Sequence, residues 1–190
     1  PSTLRRSSAA SDVYTRQAYT LELSYQQFVK TKKYGKARQL LPIQIAQPFV
    51  EVAEKLNVYP WLDYHYAYSL GNYKFIDESK GFHWSNLDQC VKFSGTSDES
   101  GFIMNHVDIN QHSPKLVGSV LQALKAISNN NNEDLNKNLK QNFHSMELVN
   151  DRRKDMWVAS RWKHYNDFRI FIMGIKGNDE IFDDGLIYEG

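Results

Sequence analysis

Apolar and aromatic residues recur along most of this chain at three- and four-residue intervals, the spacing of helices that bury one face. Val13, Ala18, Leu21, Tyr25, Phe28 and Val29 form the first such stripe. It predicts a helix from Asp12, a suitable N-cap, to about Lys33. Val50, Ala53 and Leu56 predict a second helix, with Pro48 in its first turn, where the missing N–H is harmless. Pro60 opens an aromatic-rich segment, Trp61 to Tyr73, followed by a polar loop to Gly81 and a short helix or irregular piece over residues 82–93. Ser94 to Gly101 is turn chemistry. A helix is expected from Gly101 or Phe102 to Ile127, with a break at Pro114. Leu135, Leu139, Phe143, Met146, Val149, Met156 and Val158 predict another over 133–160, capped by Asp134 or a neighbouring Asn. A last helix, Trp162 to Gly174, leads into the acidic loop Asn178–Asp184. Strand-like alternation is nearly absent and there is no internal repeat. The pattern reads as an all-α bundle in a single domain over 12–190, preceded by a disordered or extended tail over 1–11.

Composition narrows the function classes. The 190 residues carry 23 Lys+Arg against 22 Asp+Glu, a net charge of +1, which gives no broad electrostatic footprint for nucleic acid. One cysteine, Cys90, excludes an intrachain disulfide or a cysteine metal cluster. No apolar run approaches the ~20 residues of a membrane span. The expected location is the cytoplasm; the Arg/Ser-rich start, TLRRSSAA, suits the remnant of a transit segment and keeps a mitochondrial location as the alternative.

Three groups of residues could carry chemistry. Arg169 sits inside the apolar run FRIFIM and must either reach solvent or hold an anion, because an unpaired buried charge is costly. Phe102 and His106 are one helical turn apart and share a face. His106, Asp108, Asn110 and His112 alternate and would converge as metal ligands on a strand, though not on the helix expected there. The P-loop, H-E-x-x-H and G-x-S-x-G patterns are missing from the sequence.

Four stretches in order carry a resemblance: L41-P-I-Q-I-A-Q-P-F49, the proline-led segment ending S69-L-G-N-Y73, F93-S-G-T-S-D-E-S-G-F102, and F168-R-I-F-I-M-G-I-K-G-N178 followed by D184-G-L-I-Y-E-G190. Over roughly residues 35–190 the chain resembles the indoleamine 2,3-dioxygenase family, all-helical haem proteins that open the indole ring of tryptophan with dioxygen. The resemblance implies an incomplete version of that family's large helical domain, haem b as cofactor, and L-tryptophan or another indoleamine as substrate. Within it, Phe102 matches the aromatic contact to the indole, His106 a distal position, and Arg169 the arginine that holds the substrate carboxylate, with Phe168 and Phe171 beside the ring. Tyr64 or His65 falls where the family has a tyrosine near the haem edge; a one-residue length difference leaves the choice open. His164-Tyr165 stands where the family has an aromatic residue one turn before the arginine. The family's proximal histidine and its G-G-S-x-x-Q-S-S loop lie beyond Y-E-G, and its small N-terminal domain is expected to be absent as well. That leaves an alternative: a dioxygenase-derived, catalytically inactive structural subunit, with other protein subunits covering the apolar surface the missing helices would leave.

Overall fold

Tyr14, Gln17, Leu21, Ser24 and Phe28, all buried, repeat at alternating three- and four-residue steps and give the longest helix, α1 (Ser2–Thr31), its inner face. The computed structural model describes residues 2–190, with side chains from Val13 onward. Its first helix runs through the stretch expected as a tail and through Asp12, where a cap is expected; the side chains of both lie outside the described residues. Strand β1 (Leu40–Leu41) follows, then α2 (Ile43–Leu56) and a π-helix over Tyr64–Leu70. Strands β2 (Tyr73–Phe75) and β3 (Leu87–Gln89) flank a 3-10 turn at Trp84–Asn86. Helices α3 (Ser97–Asn110), α4 (Ser113–Ser128) and α5 (Asn132–Lys154) form the second half. They lead to α6 (Met156–Ala159), α7 (Asn166–Arg169), a 3-10 turn at Ile170–Ile172 and β4 (Ile187–Tyr188). Helix makes up 62% of the chain, and the sheets are two small pairs, so the class is all-α.

Several boundaries depart from expectation for identifiable reasons. Pro48 lies inside α2, which starts at Ile43, five residues before it, whereas proline prefers the first turn. The segment over 82–93 is the second arm of an antiparallel hairpin, with Tyr73 opposite Gln89 and Phe75 opposite Leu87. Three-residue strands are too short to show alternation. The helix expected from Gly101 starts at Ser97: the Thr96 hydroxyl accepts from the Glu99 N–H, a cap inside what reads as turn sequence. It stops before Pro114, which sits in the first turn of α4. The last helix is three short pieces, a 3-10 turn at Trp162–His164, α7 and the 3-10 turn at Ile170–Ile172, bounded by the extended Ser160 and Met173. The asparagine run is structural: Asn130 takes a left-handed conformation and Asn131 caps α5 by accepting from the Asp134 N–H.

The motifs that carry the family resemblance are corner ties. Asn72, fully buried, donates to the Tyr14 hydroxyl (2.6 Å) and the Val91 carbonyl (2.9 Å) and accepts from the Val91 N–H (2.9 Å). It thereby joins α1, the π-helix and the strand exit. Glu99, also without exposed surface, accepts from the N–H groups of Phe93 (2.8 Å), Ser94 (2.7 Å) and Gly95 (3.3 Å) and from the Tyr68 hydroxyl (3.2 Å). β4 pairs parallel with β1, Leu40 opposite Ile187, which ties the Y-E-G end to the L-P motif. Arg16 donates to the Tyr188 hydroxyl (3.0 Å), which donates to the Pro60 carbonyl (2.7 Å).

Two large apolar clusters and a small one, Val13, Phe49 and Ala67, make the core. One large cluster gathers Tyr14, Tyr68, Leu87, Ile103, Met104 and Val107; the other Leu21, Ala37, Ile170, Phe171, Ile181 and Phe182. Phe93 joins them, stacked on Tyr14 at 4.0 Å and on Phe171 at 5.0 Å. The α4–α5 hairpin projects from this body. It buries small residues, Ser119, Ala123 and Ala126 on α4 and Ser145 on α5, and so brings the two backbones close.

Candidate functional site

α3 presents Phe102 and His106 on one face, as their spacing predicts, and packs them with Tyr64 of the π-helix and with Tyr165 and Phe168 at α7. The Phe102 ring lies 4.6 Å from His106, 5.2 Å from Tyr165 and 5.5 Å from Phe168, all tilted or edge-on, and Tyr64 meets His106 edge-on at 6.1 Å. His106 Nδ1 is 2.8 Å from the Phe102 carbonyl. A carbonyl only accepts, so Nδ1 carries the proton and Nε2 of the neutral ring keeps its lone pair. Burial pushes the His106 pKa below its ordinary value; the Phe102 carbonyl opposes that shift and His65 adds to it. The imidazole is thus held neutral, in one tautomer, against an aromatic wall.

The other polar residues of α3 face away from this wall. Asn105 donates to the Arg152 carbonyl (3.1 Å), and the buried Asp108 accepts from the Trp84 N–H (2.8 Å) and faces Arg152 at 3.4 Å. They tie α3 to α5 and the 3-10 turn. Since residues 106–110 are helical, the alternating His106, Asp108, Asn110 and His112 do not converge, and no group of three metal-ligating side chains forms among the described residues.

Tyr64 and His65 part company in the π-helix. Tyr64 is half-buried among His106 and Tyr68 (5.5 Å), and burial raises its phenol pKa, with the Tyr165 hydroxyl adding to the rise. His65 is exposed, with its ring 5.7 Å from Tyr64. A π-turn holds one residue more than an α-turn over the same rise, closed here by the Gly71 N–H on the Tyr66 carbonyl (2.8 Å).

Arg169 reaches solvent, and its guanidinium makes no ion pair among the described residues. It lies one turn beyond Tyr165, whose carbonyl accepts its backbone N–H (3.1 Å). Near it the Tyr34 hydroxyl is buried with no hydrogen-bond partner; desolvation raises that phenol's pKa, partly offset by the Arg169 charge. Phe168 joins the wall, but Phe171, expected beside it, packs on Phe93 and Tyr25 in the second core cluster. The aromatic position left open by His164-Tyr165 is filled by Tyr165. Its role as the link between Phe102 and Arg169 needed the break at Ser160, which sequence periodicity does not reveal.

The body is thus all-helical, with a neutral, tautomer-fixed imidazole in an aromatic wall and, one turn from that wall, a guanidinium without an ion pair among the described residues. The family model for indoleamine 2,3-dioxygenase matches residues 3–190, so the chain belongs to the indoleamine 2,3-dioxygenase family, and the match reaches back through α1, further than the motifs alone. It is similar to indoleamine 2,3-dioxygenase 1 of Rattus norvegicus, 27% identical over 156 residues (80% of this chain, 37% of that protein). It is similar to indoleamine 2,3-dioxygenase 2 of Mus musculus, 28% identical over 164 residues (86% and 40%), and to the Saccharomyces cerevisiae enzyme, 31% over 126 residues (64% and 27%). The chain therefore spans about two fifths or less of the length of the curated relatives it matches.

The residues present fit one side of a haem. Phe102, Tyr64 and His106 form an apolar wall with a ring nitrogen lone pair, which suits the distal face of a flat macrocycle. Three of the other histidines face carboxylates, His83 3.7 Å from Asp155, His144 3.8 Å from Glu147 and His164 3.0 Å from Asp167, while His65 is exposed and His112 Nε2 is buried without a hydrogen-bond partner among the described residues.

Proposed function

We propose that this chain contributes the distal, substrate-facing part of a haem dioxygenase that opens the indole ring of tryptophan. The observation that carries the reading is the convergence of Phe102, His106, Tyr64 and Tyr165 with Arg169 one turn away. When bound, haem supplies the activation of dioxygen. The chain's own residues bind and orient. Arg169 holds the substrate carboxylate with paired charge-assisted hydrogen bonds. Phe102 stacks on the indole and Tyr64 lies along the haem edge. His106 Nε2 accepts the indole N–H, which is possible because the ring stays neutral.

The test is an absorption spectrum of the protein with haem added, followed by titration with L-tryptophan. A Soret band distinct from free haem, with a saturable tryptophan-dependent shift that Arg169→Ala weakens about tenfold or more, supports the reading. A spectrum identical to free haem, without tryptophan binding, overturns it.

A second reading, a catalytically inactive structural subunit, draws on the α4–α5 hairpin. Val117, Val120, Leu121, Leu124 and Ile127, with Leu139, Phe143 and Met146, are each 46–64% exposed. Both stripes are rotated in the same sense from the hairpin contact, so in an antiparallel pair they lie on one side. A contiguous apolar face of that size suits a covering protein. Isolation of the native protein in an assembly of fixed stoichiometry, without haem, would favour this reading over the first.

A further inference from the structure

Arg16 is 4% exposed and faces no carboxylate among the described residues. Among the described residues two of its five donors are used, Nε on the Tyr188 hydroxyl (3.0 Å) and Nη1 on the Gln17 side-chain oxygen, and the guanidinium carbon lies 5.8 Å from the Tyr188 ring centroid. Both acceptors are neutral. A guanidinium removed from water gains from any anion that reaches it, and the described surroundings supply none but can leave room for one. They leave room. Arg16 and Gln17 line a cavity of about 380 Å³ whose other walls include Leu62, Tyr64 and Ile172. Lys176 adds a second cation at its edge, and no acidic side chain among the described residues lines it. The cavity is large enough for a fused ring or a ring with a short chain, since about 150 Å³ accepts a benzene.

We propose that this cavity binds a carboxylate carried on a flat apolar frame, the carboxylate on Arg16 with Lys176 beside it and the frame against Leu62, Tyr64 and Ile172. The site is distinct from Arg169, which is exposed and does not line the cavity. The chemistry could come from a free aromatic acid or from a propionate of a bound macrocycle, and the experiment separates the two. Neither arm depends on turnover, so failure here leaves the dioxygenase reading standing, and the converse holds.

The probes are 3-phenylpropanoate, phenethylammonium of the same size and opposite charge, and haemin compared with its dimethyl ester, each titrated into the 190-residue protein. Binding is followed by amide chemical shifts and by melting temperature. The expected result is saturable binding of 3-phenylpropanoate, about millimolar for so small a ligand, with shifts at Leu62, Tyr64 and Ile172 and a raised melting temperature. Phenethylammonium should bind at least tenfold more weakly. Should haemin bind and its ester not, with 3-phenylpropanoate competing, the macrocycle propionate is the occupant. Arg16→Met keeps the volume and removes the charge; it should lose acid binding about tenfold or more while the melting temperature holds or rises. A purely structural Arg16 would instead make Arg16→Met strongly destabilising and leave the wild type indifferent to the acid. That result, or binding that ignores ligand charge, overturns the proposal. Lys176→Gln, at an exposed position, supplies a folded second variant and should weaken acid binding a few-fold.

Discussion

Glu99 has no exposed surface, yet its carboxylate gathers three backbone N–H groups, the Ser94 hydroxyl (2.7 Å) and the Tyr68 hydroxyl. An amide at this position can accept at only one atom and turns its NH₂ toward donors. Glu99→Gln should therefore destabilise the fold by about 2–3 kcal/mol, read from the urea midpoint at unchanged slope. Asp98 next to it makes a different contribution. It accepts from Arg161 Nε (3.0 Å), Nη2 (2.6 Å) and the Arg161 N–H (2.8 Å), and the side-chain hydrogen bond above all lowers its pKa to about 2. A carboxylate whose folded pKa is depressed adds stability that is complete above its unfolded value, near 4, and disappears as pH falls toward 2. Asp98→Asn should accordingly be less stable than wild type from pH 5 to 7, and the two unfolding curves should converge as pH approaches 2. At this scale sequence reading found Phe102, His106 and Arg169 because helical spacing and an out-of-place charge are local signals. It did not find Glu99, Asp98 or Arg16, whose roles rest on partners up to 172 positions away.

Among elements, the approach of α3 to α6 is decided by Gly101. A methyl group there would collide with the Ala159 carbonyl, a backbone atom that cannot swing aside. Gly101→Ala should cost about 1–3 kcal/mol, measurable by thermal unfolding, and should displace Ser160 and with it the start of the segment that carries Tyr165. The same glycine reads as the end of a turn in the sequence, because it closes the Ser94 to Gly101 stretch, which is turn chemistry. The close contact is a tertiary fact. The π-helix is a similar case. Its aromatic density is plain in the sequence, but an i to i+5 pattern differs from α by one residue in a turn and leaves no separate periodicity. The outcome, Tyr64 facing His106 and His65 facing solvent, follows from that one residue.

For the whole molecule, the α4–α5 hairpin sets small residues inward and large apolar ones outward, the reverse of an isolated amphipathic pair. Because Leu124 and Phe143 are 56% and 64% exposed, Leu124→Lys with Phe143→Lys should change unfolding free energy by no more than about 0.5 kcal/mol while reducing self-association at high protein concentration. Light scattering and a denaturant melt on the same sample read both quantities. Loss of several kcal/mol would mean these side chains are buried in the folded protein in solution.

Taken alone, the sequence determined the all-α class, the main helices of both halves, the pairing of Phe102 with His106 on one face, and the family through four short motifs. These depend on local periodicity and on residue types with narrow backbone or charge preferences. Only the tertiary structure decided what the motifs hold together: Asn72 and Glu99 are buried hubs that join chain corners, and nothing local marks a buried carboxylate apart from an exposed one. It also decided which aromatic fills the wall, since Tyr165 arrives through a break rather than a periodic helix, and that Phe171 belongs to a different cluster. Short strands escaped detection because their register is fixed by a partner distant in the chain, Leu40 by Ile187, and not by their own two or three residues.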